Sequence, residues 1–336
     1  MKFLLAGLGS VGRRHLRNLA ALGESDILLY RTHHSTLPDS DLAGYPVETD
    51  LRAALAQRPE AVIIANPTAM HLDVAIPAAR AGCHLLLEKP VSHTLDRVDA
   101  LAAAARQTNA QILVGFQYRF HAGLAVVRRL LSEGAIGRPV SARAHYGEYL
   151  PGWHPWEDYR QSYSARSQLG GGVTLTLSHP LDYLRWLFGE VDCLWSLGGQ
   201  LSGLDLDVDD VAEVGMQFSS GMIASVHLDY IQRPTTRSLE VIGEQGTLRW
   251  DDIDGTARLY RAPATPQEKR EWEVYPPPPG FDRNDMFLAE MRHFISVVNG
   301  ESAPACTLED GLRALQLSLA ARESYTSGQR VTLRGT

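Results

Sequence analysis

Over the first third of the chain, short continuous apolar runs alternate with stretches whose apolar residues recur at helical spacing. Residues 2 to 6 (Lys-Phe-Leu-Leu-Ala) form such a run and end in glycines, and from Arg13 the spacing of Leu16, Leu19 and Leu22 predicts a helix. Ile27 to Tyr30, Ala61 to Ala65, His84 to Leu87 and Gln111 to Gly115 read as further strands, with helices at Leu51 to Ala56, Ala75 to Ala81 and Asp96 to Thr108. Strands alternating with helices imply an α/β domain on a parallel, doubly wound sheet, closing near residue 118.

Beyond that point the runs lengthen and alternate, at Val140 to Tyr149, Val208 to Phe218, Met222 to Ile231, Leu239 to Ile242 and Thr247 to Trp250, with Gly-bearing turns between them. This texture predicts antiparallel strands, hence an α+β domain over 119–336 built on a large, mostly antiparallel, open-faced sheet. The face away from the domain's own helices needs a cover, so a homodimer or homotetramer through this sheet is expected. Pro276 to Gly280 reads as a stiff spacer before a helix with the stripe Phe287, Met291, Phe294 and Val298, stopped by Gly300. Thr307-Leu-Glu-Asp310 opens a last helix, about 308–326, with capping-box spacing, and this helix is expected to pack back on the first domain.

Composition narrows the function. The 336 residues carry 32 Lys+Arg against 39 Asp+Glu, a net charge of −7 with the signs interspersed, so neither nucleic acid nor an anionic membrane surface is an expected partner. Cysteine occurs only at 83, 193 and 306, without a CxxC pair, which supports neither a disulfide framework nor a zinc knuckle. Arg13-Arg14 follow the first apolar run, where an export signal would put them before it, and no segment offers about 18 uninterrupted apolar residues. A cytoplasmic protein is expected.

The sharpest motif is Gly7-Leu8-Gly9-Ser10-Val11-Gly12, set where a first strand turns into a first helix. Gly7 permits the tight turn, Gly9 lets a pyrophosphate approach the backbone, and Gly12 lets the helix pack on the strand. A dinucleotide site follows. About 20 residues on, where an acidic residue would take the adenosine 2′-hydroxyl, stands Tyr30-Arg31-Thr32-His33-His34-Ser35. Arg31, flanked by hydroxyl and imidazole donors, suits a 2′-phosphate, so NADP(H) is expected, with NAD(H) as the other cofactor to consider; alternatively Arg31 is a solvated loop cation.

Lysine occurs only at positions 2, 89 and 269. In a chain that otherwise uses Arg, Lys89 at the end of an apolar strand points to chemistry that Arg cannot do, because a partly buried amine can exchange a proton with a substrate oxygen. The plain alternative is an ion pair with a nearby carboxylate. Gly7 to Gly12, Ala65-Asn66-Pro67 with His71, Glu88-Lys89-Pro90, Gly115-Phe-Gln-Tyr118-Arg-Phe120, and Gly170 to Gly172 leading to His179 resemble, in order, the motif set of the Gfo/Idh/MocA oxidoreductases, the glucose-fructose oxidoreductase and inositol dehydrogenase family. The resemblance runs to about residue 330. It implies a Rossmann domain, nicotinamide-dependent hydride transfer at a carbinol of a sugar or polyol, and oligomers through the second-domain sheet. It also implies that Asn66, Pro67, His71, Glu88 and Lys89 border the cofactor, that Lys89 is the acid/base, and that Tyr118 and His179 lie at the substrate.

Family members commonly have an acidic residue one helical turn before the histidine; here that place is Thr176. A hydroxyl can hydrogen-bond but cannot tune an imidazole as a carboxylate does. Asp182 is a candidate substitute, with a surface or capping role as the alternative. Pro180 predicts a break near His179. From Tyr146 to Tyr163 the chain is dense in aromatic and polar residues, and Tyr149, Trp153, His154, Arg160 and Tyr163 are candidates for a sugar-binding wall, Arg160 hinting at an anionic substituent. The alternative is a loop stapled to its own domain. Resemblance to members that accompany surface-polysaccharide synthesis makes a nucleotide-sugar derivative a further substrate class. His33-His34 and His93 read as loop histidines, and no metal is expected. A cofactor-binding sensor of the same fold without turnover stands as the second functional reading.

Overall fold

The computed structural model describes residues 1–32, 37, 39–265 and 267–333. His33, His34 and Ser35, read as donors around a 2′-phosphate, lie outside the described residues. Two compact units divide the chain, the first comprising Met1–Gln117, Gln168–Gly171 and Phe287–Leu315, the second Tyr118–Ser167, Gly172–Met286 and Gln316–Thr336.

In the first unit the strands are β1 (Phe3–Ala6), β2 (Ile27–Tyr30), β3 (Val47–Glu48), β4 (Ala61–Ile64), β5 (His84–Glu88) and β6 (Ile112–Gly115), alternating with helices α1 (Ser10–Ala21), α2 (Leu51–Ala56), α3 (His71–Arg80) and α4 (Val98–Thr108). They form one parallel sheet in the order β3-β2-β1-β4-β5-β6, the doubly wound order of a dinucleotide-binding sheet. Every residue of β1, β4 and β6 is buried, as helices on both faces require. α3 begins at His71, four residues before the predicted start, and the two-residue β3 is too short for any periodicity to reveal.

In the second unit α5 (Ala122–Ser132) leads to β7 (Pro139–Gly147), and the short α6 (Val173–Thr176) and α7 (His179–Phe188) precede β8 (Val191–Gly199), β9 (Val211–Phe218), β10 (Ile223–Asp229), β11 (Thr236–Gly243), β12 (Gly246–Asp251), β13 (Ala257–Arg261) and β14 (Glu273–Tyr275). Helix α8 (Arg283–Val298), helix α9 (Leu308–Ser327) and β15 (Val331–Thr332) end the described chain. The nine strands run in the order β14-β13-β12-β11-β7-β10-β9-β8-β15, antiparallel except at β7–β10. Alternation is clean on β9, where Ala212, Val214, Met216 and Phe218 face the core and Glu213, Gly215 and Gln217 the other side. That other side exposes Trp195, Leu197 and Ile223.

The second unit is not the unbroken stretch 119–336. Met291 and Phe294 of α8, Cys306, and Ala314 of α9 belong to the core built around β1 and β4, whereas Leu317, Ala320 and Ala321 of the same α9 belong to the core under the large sheet. At the start of α9, Thr307 and Asp310 cap reciprocally, the Thr307 amide donating to Oδ2 at 3.0 Å and the Asp310 amide to Oγ1 at 3.2 Å. No two cysteines form a disulfide, and among the described residues no helix is long and apolar enough to cross a membrane.

Trp250 is the largest fully buried side chain of the second core, with ring centroids of Tyr118, His121 and Tyr183 between 5.0 and 6.2 Å away. Trp250→Ala is expected to cost about 3–5 kcal/mol, read as a lower urea midpoint with an unchanged slope.

Candidate active site

The turn after β1 gives each glycine a different duty. Gly7 has φ +92°, and a Cβ there would stand 2.3 Å from the Asn66 amide nitrogen; one on Gly12 would stand 1.9 Å from the Gly7 carbonyl oxygen. A Cβ on Gly9 would meet nothing within 4 Å, so that side of the loop is open. Gly9 is the N-cap of α1 and no side chain caps the helix, which leaves first-turn N–H groups for an anion. From inside, the buried Arg13 braces the loop by donating from Nε to the Leu8 carbonyl at 3.0 Å. Ser10 and Val11 form the half-buried first turn. Beside them, the Asn66 amide group donates to the Met70 carbonyl at 3.0 Å, while its Oδ1 is shielded from solvent with no hydrogen-bond partner. An open glycine, two glycines where a Cβ cannot fit, and a buried acceptor without a donor fit a bound dinucleotide. Pro67 continues the Asn66 turn, half-buried. Arg31 and Thr32 follow β2, the Arg31 amide donating to the Glu48 carbonyl at 3.1 Å.

At the end of β5, Glu88 is buried, with Oε1 2.7 Å from His15 Nε2 and Oε2 accepting from the Lys89 amide at 3.3 Å. Burial pushes its pKa up, but the hydrogen bond and charge of His15 and the charges of Lys89 and His71 outweigh that and hold the carboxyl below its ordinary value. This carboxylate is therefore committed to the interior rather than offered to a cofactor. His71 is likewise a brace: Nδ1 lies 2.9 Å from the Pro90 carbonyl and Nε2 2.9 Å from the Asn66 carbonyl, so both ring nitrogens face backbone. Burial pushes its pKa down. Lys89 itself is half-buried and joined to Pro90 by a cis peptide.

In the second unit the predicted break is present. α6 ends at Thr176 and α7 begins at His179 with Pro180 in its first turn, because Pro180 has no N–H to continue the ladder. Thr176 and His179 thus belong to different helices. Thr176 is buried near the Tyr230 phenol, which donates to the Ser164 carbonyl at 3.3 Å, and Asp182 is held bidentately by Arg119, at 2.9 Å from Nε and 2.6 Å from Nη2, both side chains almost fully buried. Neither replaces the absent acid. The His179 ring instead sits 4.9 Å from the ring of Tyr118 and 5.8 Å from that of Tyr146. Behind these, Arg237 binds Glu148 at 2.8 Å and also Asp252, and Asp252 Oδ2 accepts from the Tyr118 hydroxyl at 3.4 Å. Arg237 and Asp252 also line a cavity of about 470 Å³ with Asp254, Phe281 and Met286.

The aromatic loop divides. Tyr149 lies under the Arg233 guanidinium at 4.1 Å, Trp153 packs edge-on against Tyr230 at 5.5 Å and onto the core, and His154 stacks beside Trp156. Tyr163 is half-buried. Arg160, expected to meet an anionic substituent, is exposed and already holds Asp158 at 2.8–3.0 Å; its charge is spent locally. Trp153 staples the loop to its own domain.

Sequence reading missed Arg237, Asp252, His15 and Glu290. Two left a signal. Arg237 shares the parity of Leu239 and Val241 on β11, and Glu290 interrupts the apolar stripe of α8; a charge in a core position marks a buried ionic site.

Comparison with known proteins gives two family matches, to the NAD-binding Rossmann fold of an oxidoreductase family over residues 1–116 and to the GFO/IDH/MocA C-terminal domain over residues 124–249. The chain is 28% identical over 281 residues to 1,5-anhydro-D-fructose reductase of Ensifer adhaerens, covering 80% of this chain and 78% of that one. It is 26% identical over 351 residues to myo-inositol 2-dehydrogenase of Thermotoga maritima, covering 99% and 98%. A solved structure of levoglucosan dehydrogenase in complex with NADH and levoglucosan superimposes with a TM-score of 0.87 at 21% identity, covering 99% of each chain.

Both carboxylate oxygens of Glu290 are buried without a hydrogen-bond partner, and burial, then the Glu88 charge, hold its pKa well above the ordinary carboxylate range. A raised pKa means that the folded chain binds this proton more tightly than the unfolded chain, so the residue's contribution to stability falls as pH rises above the ordinary glutamate range, by up to about 1.4 kcal/mol per unit. Glu290→Gln keeps the shape without the proton. The variant is expected to be more stable than the parent at about pH 8 and to lose that advantage near about pH 4, compared by urea midpoints; a less stable variant at the higher pH would mean an ionised, paired Glu290.

Proposed function

Because the chain belongs to the Gfo/Idh/MocA oxidoreductase family, we propose that it is an NADP(H)-dependent enzyme, able to use NAD(H), that oxidises or reduces a carbinol or carbonyl carbon of a sugar, polyol or sugar derivative. The observation that carries the reading is the placement of Lys89. In a parallel sheet all C-terminal strand ends lie on one edge, so Lys89 after β5 and the glycine turn after β1 share that edge, two strands apart, about 10 Å. The bound nicotinamide supplies or accepts the hydride. Lys89 Nζ exchanges the proton of the substrate hydroxyl, and His71 and Glu88 fix the turns that carry Asn66 and Lys89. His179, set by Tyr118 and Tyr146, hydrogen-bonds the substrate. Relatives named as dehydrogenases and reductases favour turnover over the sensor reading, and with Arg160 spent on Asp158 an uncharged polyol is favoured over an anionic sugar. A second copy of the chain on the sheet face bearing Trp195, Leu197 and Ile223 completes the assembly; dimer and tetramer both suit this face.

Lys89→Ala is expected to lower kcat about 10²–10⁴-fold while the calorimetric affinity for the cofactor is retained; a loss below tenfold would remove Lys89 from proton transfer. Arg31 stands where the adenosine 2′ substituent is read. Paired titrations should therefore show tighter binding of NADPH than of NADH, with the order reversed in Arg31→Asp, and an unchanged order would return Arg31 to the solvated loop.

A further inference from the structure

On the face of the large sheet away from its helices, three donor groups converge. β7 and β10 run parallel with His145 directly beside His227, and Asp229 follows two residues along β10, on the same face. His145 Nε2 lies 3.8 Å and His227 Nε2 3.1 Å from Asp229 Oδ2, with the imidazole centroids 4.5 Å apart. All three donor atoms fall within 4.8 Å of one another.

Each part of the cluster is fixed. Asp229 is buried, and its Oδ1 accepts the Ile231 and Gln232 amides at 2.7 and 2.5 Å, which turns Oδ2 towards the imidazoles. Gly147 makes room for it, since a Cβ there would stand 2.2 Å from Oδ2. His227 Nδ1 lies 2.5 Å from Glu213 Oε1 on β9, which presents the Nε2 lone pair to the centre when Nδ1 carries the proton. An imidazolium at His227 between two carboxylates would account for that residue alone. It leaves His145 Nε2, shielded from solvent with no hydrogen-bond partner and directed at the same oxygen.

We propose that His145, His227 and Asp229 bind a divalent transition-metal ion of the zinc class, with Glu213 orienting His227 from behind. Two ligands on one tetrahedral zinc stand about 3.3 Å apart for bond lengths of about 2.0–2.1 Å, between the 3.1 and 3.8 Å observed. Two imidazoles select zinc, cobalt or nickel over calcium and magnesium. A carboxylate behind a ligating imidazole is the usual outer support of such a site. All three ligands come from one chain, and in the single chain the histidines are about one-third exposed, which leaves the fourth position to water or to a donor from the copy that covers this face. The site lies on the face opposite that of His179, whose neighbour Tyr146 points to the core side of β7; its role is to clamp the β7–β10 junction, independent of turnover.

The test uses the full chain without a polyhistidine tag, stripped with a chelator and titrated with Zn²⁺ by calorimetry and with Co²⁺ by visible absorption. One saturable Zn²⁺ per chain and the absorption of four-coordinate Co²⁺ are expected. His145→Gln and Asp229→Asn should weaken binding at least about tenfold, and Glu213→Gln about tenfold, with unchanged circular dichroism. Asp229→Asn keeps Oδ1 for the two amides, so it separates metal loss from unfolding. Lack of saturable uptake, or uptake unaffected by all three substitutions, overturns the proposal.

Discussion

A carboxylate kept ionised away from water has to be held from several sides, and Glu88 is that group. The histidine that holds it comes from α1 and its second oxygen takes the amide of the next residue, Lys89. Gly115 on the neighbouring strand has no side chain, and a Cβ there would press on the Glu88 carboxyl at 3.2 Å. Helix α8 adds Glu290, whose pKa is raised first by burial and then by the charge of Glu88. One buried charge thereby fixes α1 behind the glycine turn, the end of β5 and the inner side of α8. The groups offered outward, Lys89 and the open side of Gly9, depend on an inward network.

The second unit solves a different problem. An imidazole must be held without the acidic neighbour that the motif pattern commonly supplies, and here the restraint is steric and aromatic. Pro180 starts a new helix, the break places Thr176 near Tyr230, and Arg119 holds Asp182 bidentately. Rings of Tyr118 and Tyr146 then define where His179 sits.

Where local chemistry decides structure, the sequence was readable. The parallel sheet followed from runs of apolar residues, the glycine turn from its position between strand and helix, the break at His179 from proline, and the cap of α9 from its spacing. Legibility failed where three-dimensional neighbours decide. β8 carries apolar residues on both faces, Trp195 and Leu197 outward and Leu194 inward, so alternation does not announce it. Arg160 looked available because the Asp158 that neutralises it is two residues away, and only the local turn brings them together. His71 carried the right motif position, yet the Asn66 carbonyl just before its helix and the Pro90 carbonyl from another turn face its two nitrogens. The trio at His145, His227 and Asp229 depends on a parallel strand pairing that places residues 82 apart side by side, beyond any spacing rule.

The sharing of α9 bears on how such a chain can be rebuilt. A cut near residue 118 looks like a natural joint on the linear map, but Met291, Phe294, Cys306 and Ala314 return to complete the first core. A fragment ending at that joint would lack part of the interior it needs. Exchanging everything downstream for another substrate module would bring in foreign side chains at those positions. For this architecture, modular shuffling has to carry the closing helices along with the cofactor half, so new specificities are more readily gained by altering loops within an intact chain than by recombining halves.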